Sequence, residues 1–213
     1  MRRWGVVMLM VVAALGLSGC MQEPSGPELL FADYFTSADS PGWWQGQDSD
    51  VGAEWQIASG HYSGQLADAD SYYYVWNTEV TGLTDFRIQA TTSQLGTATD
   101  HSWGIIFRAD DDAFYAFEIS ADGYVQLSVW TPGDWNAIYD WALCAAIRPM
   151  GQTNALRVDA HGTSFALYVN DVLVTQVTDS TLSSGSVGFI VETWDDPDGG
   201  AWFDDLEVWT LGD

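Results

Sequence analysis

Phe114-Tyr115-Ala116-Phe117-Glu118-Ile119-Ser120, Ala121-Asp122-Gly123 and Tyr124-Val125-Gln126-Leu127-Ser128-Val129-Trp130 read as a strand, a turn and a strand. Tyr115, Phe117 and Ile119 alternate with Phe114, Ala116, Glu118 and Ser120. Val125, Leu127 and Val129 alternate with Tyr124, Gln126, Ser128 and Trp130. Side chains on a strand point alternately to its two faces. A two-residue loop would set apolar positions against polar ones. A three-residue loop pairs Ile119 with Val125 and Phe117 with Leu127. It also puts Glu118 opposite Gln126 and Phe114 opposite Trp130. Gly123 then takes the left-handed position that such a loop requires. One face of this hairpin is core; the other is polar and aromatic.

The same arithmetic extends along the chain. Leu156, Val158 and Ala160 match Phe165, Leu167 and Val169 across Gly162-Thr163, with glycine where a type II′ turn wants it. Asn170-Asp171 suits the next tight turn, and 186–192 and 201–210 read as the closing strands. From Leu29 onward no segment sustains a helical apolar period over three turns. The pattern predicts an antiparallel β-sandwich, with no internal repeat and no domain boundary after Leu29. A hydrophobic content of 47% in 213 residues suffices for one substantial core.

Several runs carry a resemblance. Trp103-Gly104-Ile105-Ile106-Phe107-Arg108, Phe114-Tyr115-Ala116-Phe117-Glu118-Ile119 and Asp122-Gly123-Tyr124 resemble central strands of the concanavalin A-like lectin/glucanase superfamily. More narrowly, they are similar to its laminin-G-like and 3-keto-disaccharide-hydrolase-type bacterial domains. Asn154-Ala155-Leu156-Arg157-Val158, Leu167-Tyr168-Val169-Asn170-Asp171, Gly185-Ser186-Val187-Gly188-Phe189 and Phe203-Asp204-Asp205-Leu206-Glu207-Val208 fit its closing strands. The resemblance spans about 29–210. It implies an all-β jelly roll of two curved antiparallel sheets, whose concave face often binds carbohydrate.

The N-terminus reads as an address. Arg2 and Arg3 precede an apolar run from Trp4 to Leu15, too short for a spanning helix, which needs about 20 apolar residues. Leu17-Ser18-Gly19-Cys20 resembles the bacterial lipobox. The expected organisation is a signal peptide over 1–19, a lipidated tether over 20–28 and the sandwich over 29–213. Cys20 is the expected lipidation site, and the lipid the expected link to a membrane of the cell envelope. Cys144 is then a lone thiol in an apolar run, read as a small core residue.

Six cations, all arginine, face 30 acids, for a net charge of −24. Such a chain repels phosphate backbones and anionic headgroups, so no nucleic-acid partner is expected.

Candidate site residues follow from the outward face. Sugar rings present apolar C–H faces, so exposed indoles and phenols are natural platforms, with carboxylates and amides reading hydroxyls. Glu118, Tyr124, Gln126 and Trp130 supply such a set, with Arg108 on the same sheet and placed to pair with Glu118. Trp135 and Trp194 are expected on the rim, with Trp43 and Trp44 as further loop aromatics. Trp103, Trp141 and Trp209 are read as core. Among Tyr72-Tyr73-Tyr74, at most two point outward. The Glu-x-Asp-x-x-Glu motif of laminarinase-like relatives is absent, and Glu118 stands alone on its strand. The expectation is therefore glycan binding without catalysis. The alternatives are a glycoside hydrolase, in which Glu118 or Glu192 would act, and a structural or protein-interaction module. No cofactor is required. A structural Ca2+ is a candidate at Asp33 with Asp204 and Asp205, on first and last strands that the resemblance to jelly rolls implies are neighbours. A second acidic loop is Asp195-Asp196-Pro197-Asp198-Gly199-Gly200, which lacks the distal glutamate of an EF-hand.

Overall fold

The computed structural model describes residues 26–212. The signal peptide and the Cys20 lipidation site expected from sequence lie outside the described residues. Fifteen strands and no helix are found among them.

Nine strands form one layer: β1 (Leu29–Asp33), β2 (Gly46–Asp48), β3 (Ala53–Ala58), β4 (His61–Leu66), β6 (Phe86–Leu95), β11 (Asn154–His161), β12 (Ser164–Val169), β13 (Val172–Thr178) and β15 (Gly199–Trp209). Six form the other: β5 (Ser71–Trp76), β7 (His101–Ala109), β8 (Phe114–Ser120), β9 (Tyr124–Thr131), β10 (Asp134–Leu143) and β14 (Ser186–Thr193). The second sheet runs in the order β10-β9-β8-β7-β14-β5, with every pairing antiparallel.

Both expected hairpins have the deduced register. Ile119 faces Val125, Phe117 faces Leu127, Glu118 faces Gln126 and Phe114 faces Trp130. Gly123 has φ 95° and its N–H closes the loop on the Ser120 carbonyl at 3.1 Å. In the second hairpin Leu156 faces Val169 and Ala160 faces Phe165. Asn170 and Asp171 both have positive φ, 51° and 63°, as a type I′ turn demands.

The core lies between the layers. Phe117, Ile119, Leu127 and Val129 from one sheet meet Ile88, Leu156, Val158 and Phe203 from the other. Trp43 enters this core, stacking on Phe189 at 5.3 Å, whereas Trp44 remains 40% exposed. Trp103 is buried as expected, and Cys144 is half-buried against the core.

Candidate functional site

The residues that alternate out of the core line the outer face of the six-stranded sheet. Registers align Tyr72, Glu192, Ser102 and Ser120 in one row across β5, β14, β7 and β8. Tyr74, Ile190, Gly104, Glu118 and Gln126 form the next row. Trp76, Gly188, Ile106, Ala116 and Ser128 form a third.

This face curls on itself. Strands lie about 4.8 Å apart, so in a flat sheet β5 and β10 would be about 24 Å apart. Instead Tyr72 of β5 meets Trp135 of β10, ring centroids 5.4 Å apart at 84°. Trp194, just past β14, meets Trp141 of β10 at 5.5 Å and 86°. The face is therefore concave, and aromatic contacts bridge it at two points. Beneath one bridge, Phe114 is fully buried; Trp130 stacks on it at 5.4 Å and Trp135 presents an edge at 5.6 Å.

Two glutamates converge on Ser102 from the strands flanking β7. The Ser102 hydroxyl donates to Glu118 Oε1 at 2.8 Å. Ser102 is directly opposite Glu192 in the register. Glu118 is 1% exposed, so burial drives its acidity down, the Glu192 charge adds to the effect, and Ser102 partly offsets it. Glu192 is raised as well, chiefly by burial, with the Trp194 and Ser102 side chains opposing. A buried carboxyl and a half-buried one on neighbouring strands, acting on each other, retain a proton to pH values at which an exposed acid has lost it. Glu118 is the only acid on its own strand, as the sequence reads. Its partner comes from β14, which chain order hides.

An open pocket of about 310 Å³ lies at the end of the concave face where the β8–β9 turn begins. Ser120, Asp122, Tyr124, Trp141 and Trp194 line it. Ser120 accepts from the Tyr124 N–H at 2.9 Å and donates to the Asp122 carboxylate. The Trp194 backbone is held by the Asp70 N–H at 2.8 Å and the Asp100 carbonyl at 3.3 Å. The two indoles, nearly perpendicular, form a corner with a phenol and a carboxylate beside it. A volume near 300 Å³ is at the small end of ligand sites, room for about one sugar ring and its neighbours.

Of the residues expected to bind ligand, Tyr124 and Trp194 line this pocket. Gln126, Trp130 and Trp135 are partly exposed on the same face. Glu118 shares the face but is buried. Arg108 does not belong to the site. Its φ of 50° and the register shift between Ser186 and Val187 break the alternation at the end of β7. The side chain is 2% exposed, donates to the carbonyls of Thr84, Gly162 and Leu182 at 2.7–2.8 Å, and lies 5.1 Å from the Phe165 ring. It makes no pair with Glu118.

Trp141 was read as core and lies instead on the pocket wall. β10 contains two register shifts, between Ala137 and Tyr139 and between Tyr139 and Ala142. These reset the face on which each later residue falls. In the sequence Asp122 reads only as a turn residue and Ser120 only as the end of its strand.

The expected adjacency of first and last strands is present, with Asp33 opposite Leu206. Asp33, however, accepts from Phe35 N–H, Ser40 Oγ–H and Trp43 Nε1–H, at 2.9, 3.1 and 2.9 Å. Its carboxylate organises the loop after β1. Asp205 accepts from the Thr91 hydroxyl at 3.3 Å. Among the described residues no group of three or more His, Cys, Asp or Glu side chains is gathered to hold a metal ion.

No protein-family model matches the chain, and no curated protein does either. Solved structures do. The carbohydrate-binding module CBM66 from Bacillus subtilis superposes with a TM-score of 0.62 at 20% identity, covering 80% of this chain and 96% of that one. The GlcNAcα1-4Gal-releasing endo-β-galactosidase from Clostridium perfringens matches at TM-score 0.63 and 10% identity, over 88% of this chain and 64% of that one. The κ-carrageenase from Pseudoalteromonas carrageenovora matches at 0.62 and 9%, over 92% and 99%. With two curved antiparallel sheets and these neighbours, the chain has the concanavalin A-like jelly-roll fold.

Proposed function

We propose that this protein is a lipid-anchored, extracytoplasmic sandwich that binds a glycan without cleaving it. The binding site is the pocket of Tyr124, Trp141, Trp194, Asp122 and Ser120. The observation that carries this reading is the indole corner on the concave face, open to solvent beside a carboxylate. Apolar C–H faces of a sugar stack on such rings, and Asp122 accepts from its hydroxyls. The anchor rests on Leu17-Ser18-Gly19-Cys20 in the sequence. Neighbours of this fold include both a carbohydrate-binding module and glycan-releasing enzymes, so the choice rests on the site itself.

One observation favours a hydrolase: Glu118 and Glu192 form a carboxyl pair with raised pKa values, as a general acid needs. A retaining pair must flank the scissile bond about 5 Å apart. Glu118 is closed off from solvent, so a bound sugar does not reach it without displacing the side chains that cover it.

Calorimetry against a panel of soluble oligosaccharides tests the reading. Binding by the native chain, weakened at least about tenfold in Trp194→Ala, is the expected result, since such rings contribute roughly 1–3 kcal/mol. Release of reducing ends that disappears in Glu118→Gln would establish the enzyme instead.

A further inference from the structure

Given a glycan-binding pocket, its electrostatics sort the possible sugars. Each aromatic wall has a carboxylate close by in the chain: Asp122 before Tyr124, Asp140 beside Trp141, Asp195 beside Trp194. Asp122 itself lines the pocket. All three are exposed. Asp140 accepts from the Trp141 N–H at 2.8 Å, and the Asp195 N–H donates to Asp100 Oδ2 at 2.9 Å, which brings a fourth carboxylate to the Trp194 side. Glu192 lies close to the Trp194 indole.

Cations are placed elsewhere. Arg87 grips Asp159 through two bonds of 2.7 and 2.8 Å on the nine-stranded sheet. Arg157 lies 3.6 Å from Asp159 and 3.3 Å from Asp171, over the Tyr168 ring. Arg108 is buried on three carbonyls. Arg148 donates to the Thr153 carbonyl at 2.9 Å and borders a neighbouring recess, not this pocket. The four arginines of the described residues thus leave the pocket without a basic side chain on its walls.

We propose that the pocket selects against anionic glycans and takes amine-bearing sugars in preference to neutral ones. The aromatic corner supplies the affinity shared by all pyranose rings. The surrounding carboxylates then rank the rings by charge. A glucosaminyl unit with a protonated 2-amino group is attracted; a uronate is repelled. A carboxylate about 6 Å from a unit charge changes affinity roughly threefold in water, so Asp122 on the wall alone gives about that factor between amine and neutral sugar, and the exposed acids beyond it add to the factor. Screening removes this component and leaves the stacking. The screening length falls from roughly 30 Å at about 0.01 M salt to roughly 3 Å at about 1 M.

The test rests on the glycan-binding reading and separates its failure from that of the charge preference. Titrate the full extracytoplasmic chain, in mildly acidic buffer, with a glucosamine oligomer, its fully N-acetylated counterpart and an oligogalacturonate of equal length. The expected order is amine, then N-acetyl, then uronate. The gap between the first two should close at high salt and shrink in Asp140→Asn/Asp195→Asn. Equal affinity for amine and N-acetyl oligomers at low salt, or tighter uronate binding, overturns the charge preference while glycan binding stands. Failure of all three probes, and of neutral gluco- and galacto-oligosaccharides, removes the glycan reading and this inference with it.

Discussion

Arg108 carries a positive charge into the end of the sandwich, where its partners are carbonyls and not carboxylates. Three carbonyl oxygens, from Thr84, Gly162 and Leu182, take its N–H groups, and together they tie the β5–β6 and β13–β14 connections and the β11–β12 turn to β7. Removing the guanidinium leaves those buried acceptors without donors, each costing about 1–3 kcal/mol. Arg108→Ala is therefore expected to lower unfolding free energy by about 3 kcal/mol or more in urea titration; a loss under about 1 kcal/mol would contradict this account. Glu118 presents the opposite case, an acid held where its charged form is disfavoured. The folded chain keeps a proton that the unfolded chain releases above the ordinary carboxylate range. Stability from this source is therefore full below that range and is lost as pH rises toward about 8. Glu118→Gln imitates the protonated form and retains an acceptor for Ser102. At a pH just above 8 the variant should unfold with a free energy about 4 kcal/mol above that of the native chain, and below the ordinary carboxylate range the two should agree. Identical stability at both ends would show that the acid feels no burial.

At the level of strands, the sheet's curl depends on β10, whose aromatic side chains reach the far side of the concave face. Trp135 touches both Phe114 and Tyr72, whereas Leu143 at the end of the same strand is 74% exposed. Trp135→Ala should cost about 2–3 kcal/mol, less than a fully buried tryptophan, and Leu143→Ala should stay within about 0.5 kcal/mol. Equal effects would mean that the bridge does not hold the curl. The strands also show what sequence conveys. The 114–130 hairpin was legible to the residue because its loop length follows from matching two alternating patterns. The second hairpin was legible for the same reason, with its glycine in place. Alternation stops being a guide wherever the backbone departs from it. The left-handed φ at Arg108 and the two register shifts in β10 moved Arg108 out of the site and Trp141 into it. The Glu118–Glu192 pair was hidden differently: β14 inserts beside β7 only through the sheet's crossover order, β8-β7-β14. No local pattern encodes that neighbour relation.

For the whole molecule, the first described strand and the pocket belong to different layers. The described chain enters at β1, where the Glu28 N–H donates to Thr210 Oγ and the Thr210 N–H to the Glu28 carbonyl, both at 2.8 Å. Those strands lie in the nine-stranded sheet, whereas the pocket opens from the outer face of the six-stranded sheet. Charge bears on the proposed anchor. Loss of Arg2 and Arg3 with the leader would leave four arginines against 30 acids, so an anionic bilayer surface repels the folded domain. Under the proposed lipid anchor, attachment would come from the lipid alone, with no electrostatic component to strengthen it. Two measurements follow from that one statement. Cys20→Ser should move the protein from the membrane fraction to the soluble fraction. A wash at about 1 M salt, where the screening length is roughly 3 Å, should release none of the native protein. Retention of the Cys20→Ser chain on membranes would remove the lipid anchor, and release of the native chain by salt would show a polar attachment in its place.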